Sequence, residues 1–209
     1  MNQTQFQKAA GISAGLAARW FPHITAAMKE FGITTAIDQA MFIAQCGHES
    51  LGFNRVVENF NYSIAGLADF VRYGRLTQDQ ANSLGRSQSE TVLPLERQRA
   101  IANIVYSKRL GNSRATDGWV YRGRGLIQIT GISNYRDCGN GLKVDLAAQP
   151  ELLEQSSYAA RSAAWFYVSK GCLKYPGDLV RITQIINGGQ NGINNRRVRF
   201  LKAKSVLVV

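Results

Sequence analysis

Two glutamates nine residues apart, Glu49 and Glu58, are the only acids between Asp38 and Asp69. Two carboxyls that flank a helix end and the turn after it can face each other across a groove. Hydrolysis of a glycosidic bond uses such a pair: one protonated acid serves the leaving oxygen, and one carboxylate activates water or attacks the sugar. By themselves two glutamates at this spacing are common, so the rest of the chain must decide whether they work together.

A second group of polar residues lies in the Gly-rich stretch 117–135. Gly123 and Gly125 invite comparison with a phosphate-binding loop. Residue 128 is Gln where a third Gly is needed, and no Gly-Lys-Ser or Gly-Lys-Thr follows. Gln128, Thr130 and Asn134 offer amide and hydroxyl groups beside Trp119, Tyr121 and Tyr135. Uncharged polar groups next to flat aromatic faces suit sugar hydroxyls, acetamides and pyranose rings.

Several elements must position these groups. Thr35 with Asp38 three residues later marks a helix start, and Gly52 marks a stop. Between them Ile37, Ala40, Met41, Phe42, Ile43, Ala44 and Cys46 leave little polar circumference, so this helix is expected to be buried. Glu49 shares its remaining stripe with Gln45, in the last turn. Desolvation and the helix macrodipole there would raise its pKa, as a general acid requires, whereas Glu58, on an Asn-rich segment, is expected to stay ionised. Upstream, residues 4–10 and 13–31 read as helical, with a break near Pro22. Downstream, 64–75, 77–84 and 94–110 read as three amphipathic helices of a basic lobe. Alternation at Ile127, Gln128, Ile129 and Thr130 gives the single strand or hairpin signal. Helices are expected again over 150–170, 176–187 and from about Ile193.

The 209 residues, 45% hydrophobic and 19% charged, suit one folded domain or a domain with an inserted lobe. Cys46, Cys138 and Cys172 do not suggest a disulfide framework, and His23 and His48 do not suggest a zinc site, so no metal and no cofactor is expected. A net charge of +11 calls for an anionic partner: nucleic acid, an anionic membrane face or a polyanionic cell wall. There is no recognition helix or aromatic-basic sheet, which argues against nucleic acid. No apolar run is long enough for membrane insertion and no signal peptide is evident, so a monomer made in the cytosol is expected.

Four motifs in order carry a resemblance. These are His48-Glu49-Ser50; Glu58-Asn59 with Asn61-Tyr62-Ser63; Tyr121 to Thr130 with Asn134-Tyr135; and Ile185 to Gly189. Together they resemble the family 19 glycoside hydrolases, chitinases whose phage members are endolysins. The resemblance implies a mainly α, lysozyme-like two-lobed fold with one small β-hairpin. It implies a catalytic domain of residues 1–63 and 112–209 and an inserted basic helical lobe, 64–111, that could bind the wall. Glu49 would be the general acid and Glu58 the general base of an inverting reaction, with Thr130 helping to hold the water. Gln128, Asn134, Tyr121, Asn187 and Arg197 would contact substrate. The expected partner is the glycan strand of peptidoglycan, cut in the periplasm after release through the host inner membrane. Chitin hydrolysis and a non-catalytic peptidoglycan-binding module are the alternatives.

Overall fold

The computed structural model describes residues 1–208. Among them are eleven α-helices, three short 3-10 segments and no extended β-ladder. Helix α1 (Gln3–Ala10) opens on a reciprocal cap: Gln5 N–H donates to Asn2 Oδ1 at 2.9 Å and Asn2 N–H to Gln5 Oε1 at 2.8 Å. Helix α2 (Ala14–Glu30) runs through Pro22 without the expected break. Pro22 removes one ladder donor, but both it and Ala18, the residue four back, lie on the exposed face, where water can serve the carbonyl left without a partner.

Helix α3 (Ala36–Glu49) starts at Thr35, whose hydroxyl accepts from Asp38 N–H at 3.2 Å, and stops at Glu49 rather than at Gly52. Every residue from Ala40 to Gly47 is buried. Helices α4 (Ala68–Arg72), α5 (Gln78–Leu84) and α6 (Leu95–Val105) follow, the last entered from Pro94. Two helices, α7 (Asp117–Val120) and α8 (Ile132–Leu142), flank the stretch where a hairpin is expected. The hairpin shrinks to a single antiparallel bridge, Arg124 to Ile129, whose two backbone bonds measure 2.8 and 3.1 Å. A longer ladder would have to grow outward past residue 129, and there Gly131 already opens α8. A 3-10 segment, Pro150–Glu154, precedes α9 (Ser156–Ser169), and α10 (Leu179–Asn187) and α11 (Ile193–Leu207) close the chain.

Helix α11 lies along α3, with α1 beside it and α2 against α9. Their shared core holds Trp20, Ile24, Phe42, Ile43, Tyr167 and Phe200. Each large apolar side chain taken fully from water there contributes about 1.5–3 kcal/mol. Phe60, Leu67, Leu76, Leu93, Ile101 and Val105 form a separate cluster under α4 to α6. A third cluster gathers Tyr121, Ile129, Tyr135, Leu142, Leu146 and Leu153. The fold is mainly α, and the segment between Glu49 and Glu58 crosses from the first cluster to the second.

Candidate active site

Glu49 is the last residue of α3 and retains some solvent access, its side chain being 21% exposed. Its Oε1 accepts from Arg196 Nη2 at 2.5 Å. Arg196 is fully buried, and its other nitrogens are used as well: Nη1 donates to Gln45 Oε1, and Nε to the Asn191 carbonyl at 3.3 Å. Gln45 in turn donates to Thr183 Oγ1 of α10 at 3.3 Å. A buried guanidinium is tolerated when its donors are satisfied and a carboxylate faces it, so α3, α10 and α11 are tied together at the catalytic candidate. Glu49 is therefore an ion-paired acid rather than the lone carboxyl in apolar surroundings that the helix pattern suggested.

The arginine involved is one residue earlier than expected. Gly192 in the left-handed region starts α11, and the helical phase that follows turns Arg196, Phe200 and Ala203 inward. Arg197 faces solvent, donating to Asn194 Oδ1 at 3.1 Å, so the expectation that it serves the site is corrected to Arg196. His48 meets Asn195 Oδ1 at 2.9 Å, and Arg199 Nε donates to the same oxygen at 2.9 Å, which fixes the neighbouring turn of α3 on α11.

After Glu49 the chain reverses through three consecutive residues with positive φ, Leu51 at 52°, Gly52 at 73° and Phe53 at 65°. Two of these are not glycine, and each such placement costs on the order of 1–2 kcal/mol. Ser50 Oγ accepts from Phe53 N–H at 2.9 Å, and Trp20 Nε1 donates to the Phe53 carbonyl at 3.0 Å, which holds the turn. The strand-like residues that follow pair with the Gly-rich stretch: Gly125 N–H donates to the Val56 carbonyl at 2.9 Å and Glu58 N–H to the Gly123 carbonyl at 2.8 Å.

Glu58 is thereby pressed against Gly123, whose N–H donates to Oε2 at 3.1 Å. Tyr106, just beyond α6, donates its hydroxyl to both carboxylate oxygens, at 2.9 and 3.0 Å. Burial pushes the Glu58 carboxyl above the usual glutamate range, and the bonds from Gly123 and Tyr106 and the charge of Arg122 only partly oppose this. The expectation that an Asn-rich segment keeps Glu58 simply ionised is corrected accordingly, because the local sequence does not reveal the lobe that covers it. The same burial, with Glu58 beside it, raises the Tyr106 hydroxyl far above its ordinary value, so it stays a donor. A Cβ at Gly123 would stand 2.6 Å from Gln128 Oε1, so a side chain there would displace Gln128.

Gln128, Thr130 and Asn134 line one cavity of about 290 Å³ together with Trp165, Phe166 and Lys170. The Asn134 amide donates to the Thr130 carbonyl at 2.7 Å. Asn187 is exposed at the end of α10. Tyr121 is not in this wall. It is buried against Tyr135, with its hydroxyl donating to the Ala147 carbonyl at 3.0 Å, so the sugar contact expected of it is corrected to a packing role. Trp119 lies under the Arg122 guanidinium at 4.0 Å. Sequence reasoning missed Tyr106, Trp165 and Phe166. Gln45 was visible one turn before Glu49 on the same stripe, but Tyr106, far along the chain from Glu58, gave no local signal.

The arginines of residues 64–111 are less available than the composition of that stretch implied. Arg86 is half-buried and donates to the carbonyls of Glu90 and Thr91 at 3.3 and 2.8 Å, closing the loop before α6. Arg72 is exposed beside Asp69 at 3.2 Å.

Residues 95–197 match the family described as chitinase class I, Glyco_hydro_19. A glycosyl hydrolase family 19 domain-containing protein of Haemophilus influenzae is 37% identical over 187 residues, spanning 84% of this chain and 87% of that protein. Chitinase 8 of Oryza sativa subsp. japonica is 32% identical over 111 residues, 39% of this chain and 42% of that protein. Among solved structures, chitinase C from Streptomyces griseus superposes with a TM-score of 0.64 at 16% identity, over 100% of this chain and 92% of that one. That likeness carries the lysozyme-like fold.

Proposed function

Because the chain belongs to glycoside hydrolase family 19, we propose that it cuts the β-1,4 glycan strand of bacterial peptidoglycan as a phage endolysin, by single displacement with inversion. In this reading Glu49 protonates the departing glycosidic oxygen while Glu58 takes a proton from the water that attacks the anomeric carbon from the opposite face. Arg196 holds Glu49 through Oε1 and, once the proton has gone, stabilises the carboxylate that remains. Tyr106 and the Gly123 N–H fix Glu58 so that a water can be aligned on it, with Thr130 assisting. Gln128, Asn134 and Asn187 would hold sugar substituents, with Trp165 and Phe166 as apolar walls.

The observation that carries the reading is that each of the two carboxyls is held in place by its own set of donors. One sits on a buried guanidinium, and the other is enclosed by neutral donors. The net charge of +11 supports an anionic substrate such as the wall, whose peptides carry carboxylates, over neutral chitin. Chitin hydrolysis remains the second reading, favoured by the rice and Streptomyces griseus proteins, both named chitinases. Family membership weighs against the non-catalytic wall module. Action in the periplasm, after release through the host inner membrane, belongs to the same proposal.

Parallel digestion of purified peptidoglycan and of chitin oligomers, with mass analysis of the new reducing ends, separates the readings. Muramic acid reducing ends from peptidoglycan, at a rate well above chitin cleavage, are expected. Efficient chitin cleavage with intact peptidoglycan would make the protein a chitinase.

A further inference from the structure

The outward face of α11 is built unlike the rest of the surface. Val198 and Leu201, 67% and 56% exposed, fall with Ser205 on one helical stripe, and Val208, 39% exposed, follows as the residue that caps the helix. The other exposed large apolar residues, among them Leu51, Tyr73, Val92 and Leu110, are spread over separate segments and need no common explanation. Beside this stripe, between α11 and α1, lies a shallow cavity of about 390 Å³ lined by Lys8, Ile12, Lys202, Ser205 and Val206 among others. Lys202 folds over the end of α1, so close that a Cβ at Gly11 would stand 2.9 Å from its Nζ. Neither helix contains an Asp or Glu, whereas α11 alone adds Arg197, Arg199, Lys202 and Lys204.

An apolar stripe bordered by uncompensated cations suits a surface that offers acyl chain and negative headgroup side by side. We propose that the α1–α11 face docks the protein on an anionic phospholipid surface, with Val198, Leu201 and Val208 entering the headgroup boundary and Lys8 and Lys202 holding a lipid phosphate. A glycan or nucleic acid would use the charge but leave the apolar stripe wet. A second copy pairing by the same face would set like charges against each other. No helix among the described residues is long and apolar enough to cross a membrane, so the attachment is at the surface. Arg196 on the inward side of α11 stays on Glu49, so docking uses the opposite side of the helix that completes the candidate active site. This inference does not depend on which glycan is cut.

The test is co-sedimentation of the full chain with vesicles of phosphatidylglycerol and phosphatidylethanolamine, against vesicles of phosphatidylcholine alone, across a salt series. Binding to the anionic vesicles that weakens with salt is expected. Val198→Gln with Leu201→Gln should reduce it about tenfold, and Lys8→Gln with Lys202→Gln should reduce it by a similar factor and flatten the salt dependence. Glutamine keeps helix propensity, and thermal melts with glycan turnover of both variants should match the parent. Equal partition onto both vesicle types, or variants that bind like the parent, would overturn the proposal. So would variants that lose only pelleting with isolated walls, or only a dimer seen by ultracentrifugation, because the face would then belong to the wall or to a second copy.

Discussion

Nη2 of Arg196, a residue with no solvent exposure, lies 2.5 Å from Oε1 of Glu49, and the same guanidinium is held by Gln45. This pairing joins the end of α3 to the first turn of α11 and makes the geometry of Glu49 depend on a residue far along the chain.

Arg196→Met should therefore act on both activity and stability. It removes the cation facing Glu49 and leaves Gln45 without its donor. Turnover is expected to fall about 10²-fold, as small misplacements of a reacting group do. Stability should fall by roughly 1–3 kcal/mol, less than for a fully buried pair because Glu49 still meets solvent. Arg197→Ala should change neither by more than twofold in rate or about 0.5 kcal/mol. Hydrolysis rates and thermal melts of the two variants check this, and the reverse order of effects would place the guanidinium role on Arg197.

Glu58 sets a pH signature. Its carboxyl is raised by burial, so the acidic limb of kcat/KM, where the base becomes protonated, should lie above the roughly 4.3 of a free glutamate. The Tyr106 hydroxyl bonds the charged form and so holds that pKa down. Tyr106→Phe removes this bond and should move the limb upward by about one unit, a hydrogen bond to a charge being worth about 1.5–3 kcal/mol. For stability the sign is the same: a raised acid favours folding below its unfolded pKa, and that contribution is lost as pH rises through the folded value. A limb unmoved, or moved downward, in Tyr106→Phe would mean Glu58 is not the base.

The lobe arginines should divide by burial. Arg86→Glu should destabilise by about 2–4 kcal/mol, because two loop carbonyls lose their donor and a carboxylate replaces it in a half-buried place. Arg72→Ala, at an exposed pair, should cost within about 0.5 kcal/mol. Urea unfolding measures both. If only Arg72→Ala weakens pelleting with isolated walls, the wall contact of the lobe lies on its exposed arginines; if it has no effect, Arg72 takes no part.

What the sequence disclosed follows from how far each cause reaches along the chain. The burial of α3 and its start at Thr35 are local and were legible from apolar spacing and a capping residue. The break expected at Pro22 did not occur because the exposure of Ala18 is a tertiary fact. The hairpin at 127–130 was read from alternation, but the bridge of Arg124 with Ile129 and the start of α8 at Gly131 leave it no length. Arg196 and Arg197 are adjacent, and only the phase of α11, set from Gly192, decides which turns inward. Tyr106 reaches Glu58 through the packing of a separate apolar cluster, which no pattern near either residue encodes.

The central claim is that Glu49 and Glu58 work as acid and base in a single displacement. The direct measurement is the anomeric configuration of the first product, followed by proton NMR before mutarotation. Inversion is predicted for the parent protein, because a water aligned on Glu58 attacks from the face opposite Glu49. A first product with retained configuration would contradict it and require a covalent or substrate-assisted route in which Glu58 does not activate water.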